Sequence, residues 1–539
     1  MLLTVTVNAI AQSQKDSVKD KVDSIFKNYI ATRGPGCAVA IIKDGKVIFE
    51  KAYGMANLDY NIPLTTASVF DIASLAKQFT GLAVSSLIEK GKINVDDDIH
   101  KYQPGLPNFG KKITIANLLH HTSGLRDWVG TLHAAGWDVE EEASFEQVMR
   151  MLNHQKDLDF EPGTEYQYSN TDYNLLADII AKVTGTSFSH YMDSLVFKPL
   201  GMKSSIILED PDTVIPDLAT SYNYYDNSFH KVQDVLTAFG SSSLYSSTDD
   251  LVKWVINFQQ NISIGDPVYT RMVAESKLNN GTINRYGFGI ENGIDRGIKT
   301  YSHTGLWAGY CTSIAFYPDD KLAFIILSNG SDSKVYDKYI QALADIFLIK
   351  KLKPVVIPDL AKLPEVKVNP NLLNEYTGDY KWDYGTIEVT LNNGKLMIGS
   401  NGGQAAQTKA LSDSSFYLTG FPFPVIFSKP VNGHSQSFTY RTATGFRYKP
   451  KAPMVNLITY KGYYYSPELE ATYNIDVINN VLTIHHFRLG DLPLQLTDED
   501  MFNGDLGKLK FYRDTNGKII GLKLSGDRIR NIKFIKRNE

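Results

Sequence analysis

Strand signals in the first 350 or so residues of this chain cluster at the two ends of that stretch. Cys37 to Ile42 and Val47 to Ala52 are apolar runs flanking Lys43-Asp44-Gly45-Lys46, an Asp-Gly turn that predicts a β-hairpin. The next sheet strands arrive only after residue 285, among them Tyr310 to Tyr317 and Leu322 to Leu327, joined through Pro318-Asp319-Asp320-Lys321. A lone hairpin is marginal in water, so the separated runs are expected to pair with one another. One antiparallel sheet is then built from both ends of the domain, with a helical insertion between. Groups that are distant in sequence can converge where the insertion returns to the sheet.

Three short motifs sit where such convergence would place them. Ser74-Leu75-Ala76-Lys77 heads an apolar helix (Phe79, Leu82, Ala83, Val84, Leu87, Ile88) that Gly91 ends. Residues i and i+3 share a helix face, so the Lys77 amine can reach the Ser74 oxygen. A serine hydroxyl needs a neighbour to take its proton, and a buried lysine favours its neutral, basic form. Alone the motif is weak, since a helix cap followed by a surface lysine has the same pattern. Tyr168-Ser169-Asn170 follows the turn Glu161-Pro162-Gly163-Thr164 and precedes a helix carrying Leu175, Leu176, Ile179, Ile180 and Val183. Asn170 there either caps the helix or offers its amide to a substrate carbonyl. Tyr168 either packs on the core or aims its phenol at the nucleophile. His303-Thr304-Gly305 lies on a strand, where a glycine lets a substrate backbone approach closely; the alternative is an ordinary strand with an exposed histidine.

In that order and spacing, S-x-x-K, Y-x-N and H-T-G resemble the motifs of the serine β-lactamase and penicillin-binding-protein superfamily. Within it the chain is similar to the group of class C β-lactamases, D-alanyl-D-alanine carboxypeptidases, esterases and D-aminopeptidases. Ile113 to Leu125, Phe197-Lys198-Pro199-Leu200-Gly201-Met202, and Tyr286-Gly287-Phe288-Gly289, matching a strand just before H-T-G, extend the resemblance over roughly residues 20 to 350. It implies an α+β (α/β sandwich) hydrolase domain. Ser74 would attack a carbonyl and form an acyl-enzyme. Lys77 and Tyr168 would share the proton transfers, with Tyr168 as a phenolate held by Lys77 the preferred base. Asn170, His303, Thr304 and Gly305 would bind substrate. The backbone N–H groups of Ser74 and Leu306 would form the oxyanion hole, a feature worth a few kcal/mol of barrier. One position departs from the class C pattern: His303 stands where those lactamases carry lysine. Histidine, with an unperturbed pKa near 6.5, is mostly neutral at pH 7 and offers no permanent charge to a substrate carboxylate. Peptidases and esterases of the group use H-T-G.

Neither metal nor cofactor is expected. His120 and His121 are adjacent, there is no H-E-x-x-H or Walker A, and the glycines of Tyr286 to Gly289 lack a dinucleotide-binding context. A formal net charge of −4 makes no electrostatic case for nucleic acid or an anionic membrane as partner. No later run is apolar and long enough for a membrane span. With two cysteines, Cys37 and Cys311, a disulfide framework is excluded. They lie on strands that are not neighbours in the resembling sheet, and both read as core residues. Met1 to Ala11, ending Ala9-Ile10-Ala11, reads as part of an export signal and predicts a periplasmic or secreted protein. Residues 129 to 160 (Trp137, Glu140, Glu141, Glu142) and 205 to 240 (Tyr222, Tyr224, Tyr225) read as excursions walling a cleft. Ser246 to Asp250 caps the next helix, and the nearby serines are not read as nucleophiles.

At 539 residues the chain exceeds one domain. Pro354, Pro358, Pro364 and Pro370 mark a linker over residues 351 to 370. Beyond it lies a duplication. Tyr376-Thr377-Gly378-Asp379-Tyr380 corresponds to Tyr460-Lys461-Gly462-Tyr463-Tyr464, and Ile387 to Gly394 corresponds to Ile475 to Asn480. Short alternating strands with Asn-Gly turns predict two small all-β, lipocalin-like barrels, at residues 371–452 and 455–539. Their aromatics, such as Phe421, Phe423 and Tyr463 to Tyr465, are read as core before binding surface. The expected function is that of an exported serine hydrolase acting on small peptides, amides or esters, with D-amino acid substrates favoured. The alternatives are a carboxylesterase with weak β-lactam reactivity and a penicillin-binding receptor without turnover.

Overall fold

The computed structural model describes residues 18–31, 33–138, 141–353, 360–382, 385–400, 405–418, 423–440, 443–448 and 455–537. The export signal, Pro354, Pro358, Glu140 and Phe421 lie outside the described residues. Six strands form the main sheet: β1 (Cys37–Lys43), β2 (Lys46–Tyr53), β3 (Glu291–Asp295), β4 (Ile298–Trp307), β5 (Tyr310–Tyr317) and β6 (Leu322–Ser328). Their order is β3-β4-β5-β6-β1-β2, so the early hairpin joins the late strands through β6. That seam is antiparallel and in register from Cys37 opposite Ser328 to Lys43 opposite Leu322.

The central strands are buried on both faces, which is why their sequences read as apolar runs without alternation. Ala38, Ala40, Ile42, Ile314, Phe316, Ile325 and Leu327 pack on one side. Against them lie helices α1 (Ala76–Glu89), α2 (Asn170–Thr184) and α3 (Thr248–Ile264). Cys37, Val39, Ile41, Ala315, Phe324 and Ile326 face the other way, onto Val22 and Phe26 and onto α4 (Lys338–Leu348). The result is an α/β sandwich with its insertion on one face. Ser247 caps α3, accepting from the Asp250 N–H at 3.3 Å. Cys37 and Cys311 are free and buried, and both lie opposite Ser328 on its two sides. With a strand between them they are about 10 Å apart, beyond disulfide reach.

Tyr286-Gly287-Phe288-Gly289 departs from its expected strand: it is irregular, with Tyr286 in an isolated bridge to Glu291. Pro370 is also not linker-like, since it opens a short helix, Pro370–Tyr376, capped by Asn369.

Two closed antiparallel barrels of eight strands follow, Gly378–Trp382 through Ala443–Tyr448 and Gly462–Ser466 through Ile529–Arg537. The duplication is visible atom by atom. The Tyr380 hydroxyl donates to the Tyr376 carbonyl at 2.8 Å, and the Tyr464 hydroxyl to the Tyr460 carbonyl at 2.6 Å. Gly378 and Gly462 both begin their barrels at positive φ, +137° and +138°. Tyr464 is core, whereas its neighbour Tyr463 is exposed. Leu457–Leu494 and Asn503–Glu539, which hold most of the second barrel, group with Met1–Lys353 in one compact unit; Pro354–Asn456 with Gln495–Phe502 forms another. Among the described residues no helix is long and apolar enough to cross a membrane.

Candidate active site

Ser74 sits in a 3₁₀ turn, Ala73–Leu75, between the short strand Val69–Asp71 and the first turn of α1. Ala73 holds φ at +51°, an uncommon conformation for a residue with a side chain. The Asp71 carboxylate helps to impose it, accepting from the Ala73 N–H at 2.7 Å. Asp71 is itself buried against Asp234, and burial and that neighbour push its carboxyl well above the usual range. Burial and the neighbouring carboxylate therefore favour a neutral Asp71 beneath the Ser74 turn. Asp234 also accepts from the Tyr245 hydroxyl at 2.6 Å and from Trp307 Nε1 at 3.1 Å, tying β4 to the same pair.

Gly305 explains how β4 can lie against this turn. A Cβ there would stand 2.3 Å from Thr312 Oγ1 and 2.5 Å from the Ile72 carbonyl. The expectation was that this glycine admits a substrate backbone; here it admits the Ser74 turn. Around it the strand alternates: His303 and Gly305 face inward, and Thr304 and Leu306 face outward, on the lining of the cleft. β3 pairs with β4 only as far as Ser302, so His303 to Trp307 present that edge unpaired by β3.

Lys77 is completely buried. Its Nζ lies 3.0 Å from Ser74 Oγ, 2.8 Å from Asn170 Oδ1 and 2.8 Å from the Ser241 carbonyl. The latter two can only accept, while the hydroxyl can donate. A neutral amine satisfies all three, giving two protons and receiving one. Burial lowers its pKa well below the ordinary lysine value, with Asp127 opposing and Arg528 adding to the shift. The Tyr168 ring centroid is 4.8 Å from Nζ. The Tyr168 hydroxyl is buried beside Ser74 without a well-formed hydrogen bond, and burial raises its pKa, with Ser74 and Arg528 pulling the other way.

Asn170 opens α2. Its Oδ1 accepts from Lys77, and its N–H and Nδ2 both donate to Asp127 Oδ2, at 2.7 and 2.9 Å. Asp127, which no sequence motif marked, thus orients Asn170 and places a negative charge behind Lys77. His303 is buried, not exposed. Its Nδ1 lies 2.6 Å from the Thr304 carbonyl and its Nε2 2.8 Å from the Tyr286 hydroxyl. The carbonyl must accept, so Nδ1 carries the proton and Nε2 receives the tyrosine's. Burial first, then Lys77, lowers its pKa to about 3, so the ring is neutral. His120 and His121 are core residues, bonded to the Tyr286 carbonyl and to Asp172.

The cleft holds about 650 Å³, and Ser74, Tyr168, Asn170, Thr304, Leu306 and Arg528 are among its lining residues. The two expected excursions do contribute walls, through Val129 and through Asn223, Val232 and Leu236. Arg528 comes from the second barrel and was not foreseen. Among the described residues, no cluster of three or more His, Cys, Asp or Glu could hold a metal.

Residues 22–346 match the family described as Beta-lactamase. The chain belongs to that family. Penicillin-binding protein 4* of Bacillus subtilis (strain 168) is 30% identical over 410 residues, 72% of this chain and 89% of that one. A D-aminopeptidase of Gluconobacter oxydans (strain 621H) is 28% identical over 298 residues, spanning 55% of this chain and 56% of the relative. In fold, the octameric penicillin-binding protein homologue from Pyrococcus abyssi superposes with a TM-score of 0.57 at 21% identity, covering 87% of this chain and 98% of the other. The protein is a serine hydrolase of this β-lactamase-related group.

Proposed function

We propose that the protein is exported and hydrolyses small peptides or amides, D-amino acid substrates favoured, through an acyl-enzyme on Ser74. The Lys77 amine, enclosed by Ser74 Oγ, Asn170 Oδ1 and the Ser241 carbonyl, carries this reading. In it, Ser74 Oγ attacks the substrate carbonyl carbon as its proton passes to Lys77 Nζ. The oxyanion accepts from the backbone N–H groups of Ser74 and Leu306. The proton then moves through the Tyr168 hydroxyl to the leaving nitrogen, the C–N bond breaks, and the acyl group stays on Ser74. Water repeats the sequence and releases the acid. Burial favours neutral forms of both Lys77 and Tyr168, which makes the amine the base and the phenol the relay, the reverse of the phenolate expected from the resemblance. Asn170 positions the lysine and presents its carboxamide to the cleft. D-Amino acid substrates are favoured because H-T-G replaces a lysine-bearing motif and because relatives are named D-aminopeptidases.

A receptor that acylates without turnover is the second reading, suggested by the relative named Penicillin-binding protein 4*. Intact-mass spectrometry after exposure to a penicillin and to a short-chain p-nitrophenyl ester separates the two. A transient +acyl adduct on the wild type, missing in Ser74→Ala, supports the hydrolase. A stable penicillin adduct without ester turnover supports the receptor, and no adduct with either reagent removes Ser74 as nucleophile.

A further inference from the structure

We propose that Arg528, delivered by the second barrel, binds a carboxylate on the leaving group of the substrate, which makes peptides with a free C-terminus the preferred class. This rests on the serine-hydrolase reading above. Arg528 is at the tip of the last hairpin, between strands Ile519–Gly526 and Ile529–Arg537, with φ at +53°. The hydrolase surface is shaped to hold that tip. The Arg528 carbonyl accepts from the Asp127 N–H and from Gln167 Nε2, each at 3.2 Å. The Arg530 N–H donates to Asp159 at 2.8 Å. At Gly130 a Cβ would lie 2.3 Å from the Asp527 carbonyl, so a side chain there would expel the hairpin.

With its backbone pinned, the guanidinium is left under-used. Nη1 is 3.4 Å from Asp127 Oδ2, and Nε and Nη2 are each 3.3 Å from Asp527 Oδ2. Charge-assisted bonds are normally 2.7–2.9 Å, so all three are long. Asp127 already accepts from Val129 and twice from Asn170, and Asp527 is 80% exposed. The Arg528 side chain itself is 31% exposed. A planar fork of five donors held this loosely at a cleft wall matches a carboxylate with two parallel bonds.

Charge and place select the ligand. Among the described lining residues Arg528 is the one permanent cation, and His303, where lactamases carry lysine, is neutral. Glu291 is the acid on the same lining, and burial holds its carboxyl above the ordinary range. Arg528 Cζ lies 5.7 Å from the centroid of the Tyr168 ring. Tyr168 hands its proton to the leaving atom, so the group beyond that atom runs along Tyr168 toward the guanidinium. The barrel therefore supplies the cleft with a permanent cation where His303 offers none.

The test compares an N-acetylated D-peptide ending in a free carboxylate with the same peptide as its C-terminal amide. Wild type should turn over the acid with a kcat/KM at least about tenfold higher, chiefly through KM, as a charged hydrogen bond of ordinary strength implies. The ratio should shrink toward one in 1 M salt. Arg528→Gln should abolish the ratio, and Arg528→Lys should retain part of it. Equal rates for acid and amide in wild type, or a ratio surviving in Arg528→Gln, overturns the proposal. Should Arg528→Gln not fold, the wild-type ratio and its salt dependence decide. If neither peptide is cleaved, the two are compared as competitive inhibitors of p-nitrophenyl acetate hydrolysis, with the same criteria. Ester acylation of Ser74 without acid preference sinks this inference alone; absence of any Ser74 adduct sinks the serine-hydrolase reading with it.

Discussion

At Lys77 two influences oppose one another. Burial expels the charged form, and the Asp127 carboxylate retains it. In the proposed reaction that balance sets the pH at which Lys77 accepts the Ser74 proton. Replacing Asp127 by Asn removes the retaining charge, so the acid limb of kcat/KM for a neutral ester should move to lower pH, while kcat falls as Asn170 loses its anchor. A pH–rate profile checks both, and an unmoved limb would show that Asp127 acts only through geometry. His303 makes the complementary case. Its folded pKa of about 3 lies below the ordinary 6.5, so between those values the unfolded chain binds more protons than the native one. Stability contributed by neutral His303 is full above about 6.5 and declines as pH falls through that window. His120 and His121 are shifted in the same direction. Urea denaturation at pH 7 and pH 5 should show the loss, and His303→Gln should flatten the slope. These residues also divide by legibility. Ser74, Lys77, Tyr168, Asn170, His303, Thr304 and Gly305 were readable because each sits in a short local motif. Asp127, Asp234 and Arg528 were not, because nothing beside them in sequence marks them and their partners lie up to 401 residues away.

Among the elements, β4 and the Ser74 turn depend on one missing side chain. A Cβ at Gly305 has no free space, being within 2.5 Å of the Ile72 carbonyl and closer to Thr312 Oγ1. Gly305→Ala should therefore destabilise by about 1–3 kcal/mol, the usual range for overpacking, and lower kcat more than it raises KM. Chemical denaturation and steady-state kinetics measure the two effects; a variant with native stability and kcat would refute the packing account. The alternation of β4 was legible as a strand. Which face met which neighbour was not, since period two assigns residues to two faces without naming either.

Across the whole molecule, the second barrel is joined to the hydrolase by buried charge. Arg126 is 1% exposed and pairs with Asp159 and with Glu468 of the barrel, each at 2.7 Å. Arg126→Leu would strand two buried carboxylates and should cost about 3–5 kcal/mol in chemical denaturation. A change below 1 kcal/mol would mean that solvent reaches the pair. The sequence by itself determined the parts: a sheet closed from both ends, because apolar runs buried on both faces are visible as composition; a helix on which Lys77 reaches Ser74, because i and i+3 spacing is local; and two barrels, because a duplication preserves its turns and tyrosines. Only the tertiary structure decided that most of the second barrel joins the hydrolase in one compact unit, that its last hairpin places Arg528 on the cleft, and that Lys77 and Tyr168 are both buried where their neutral forms are favoured. The first two depend on pairings between residues hundreds of positions apart, and the third on desolvation, which a linear chain does not carry.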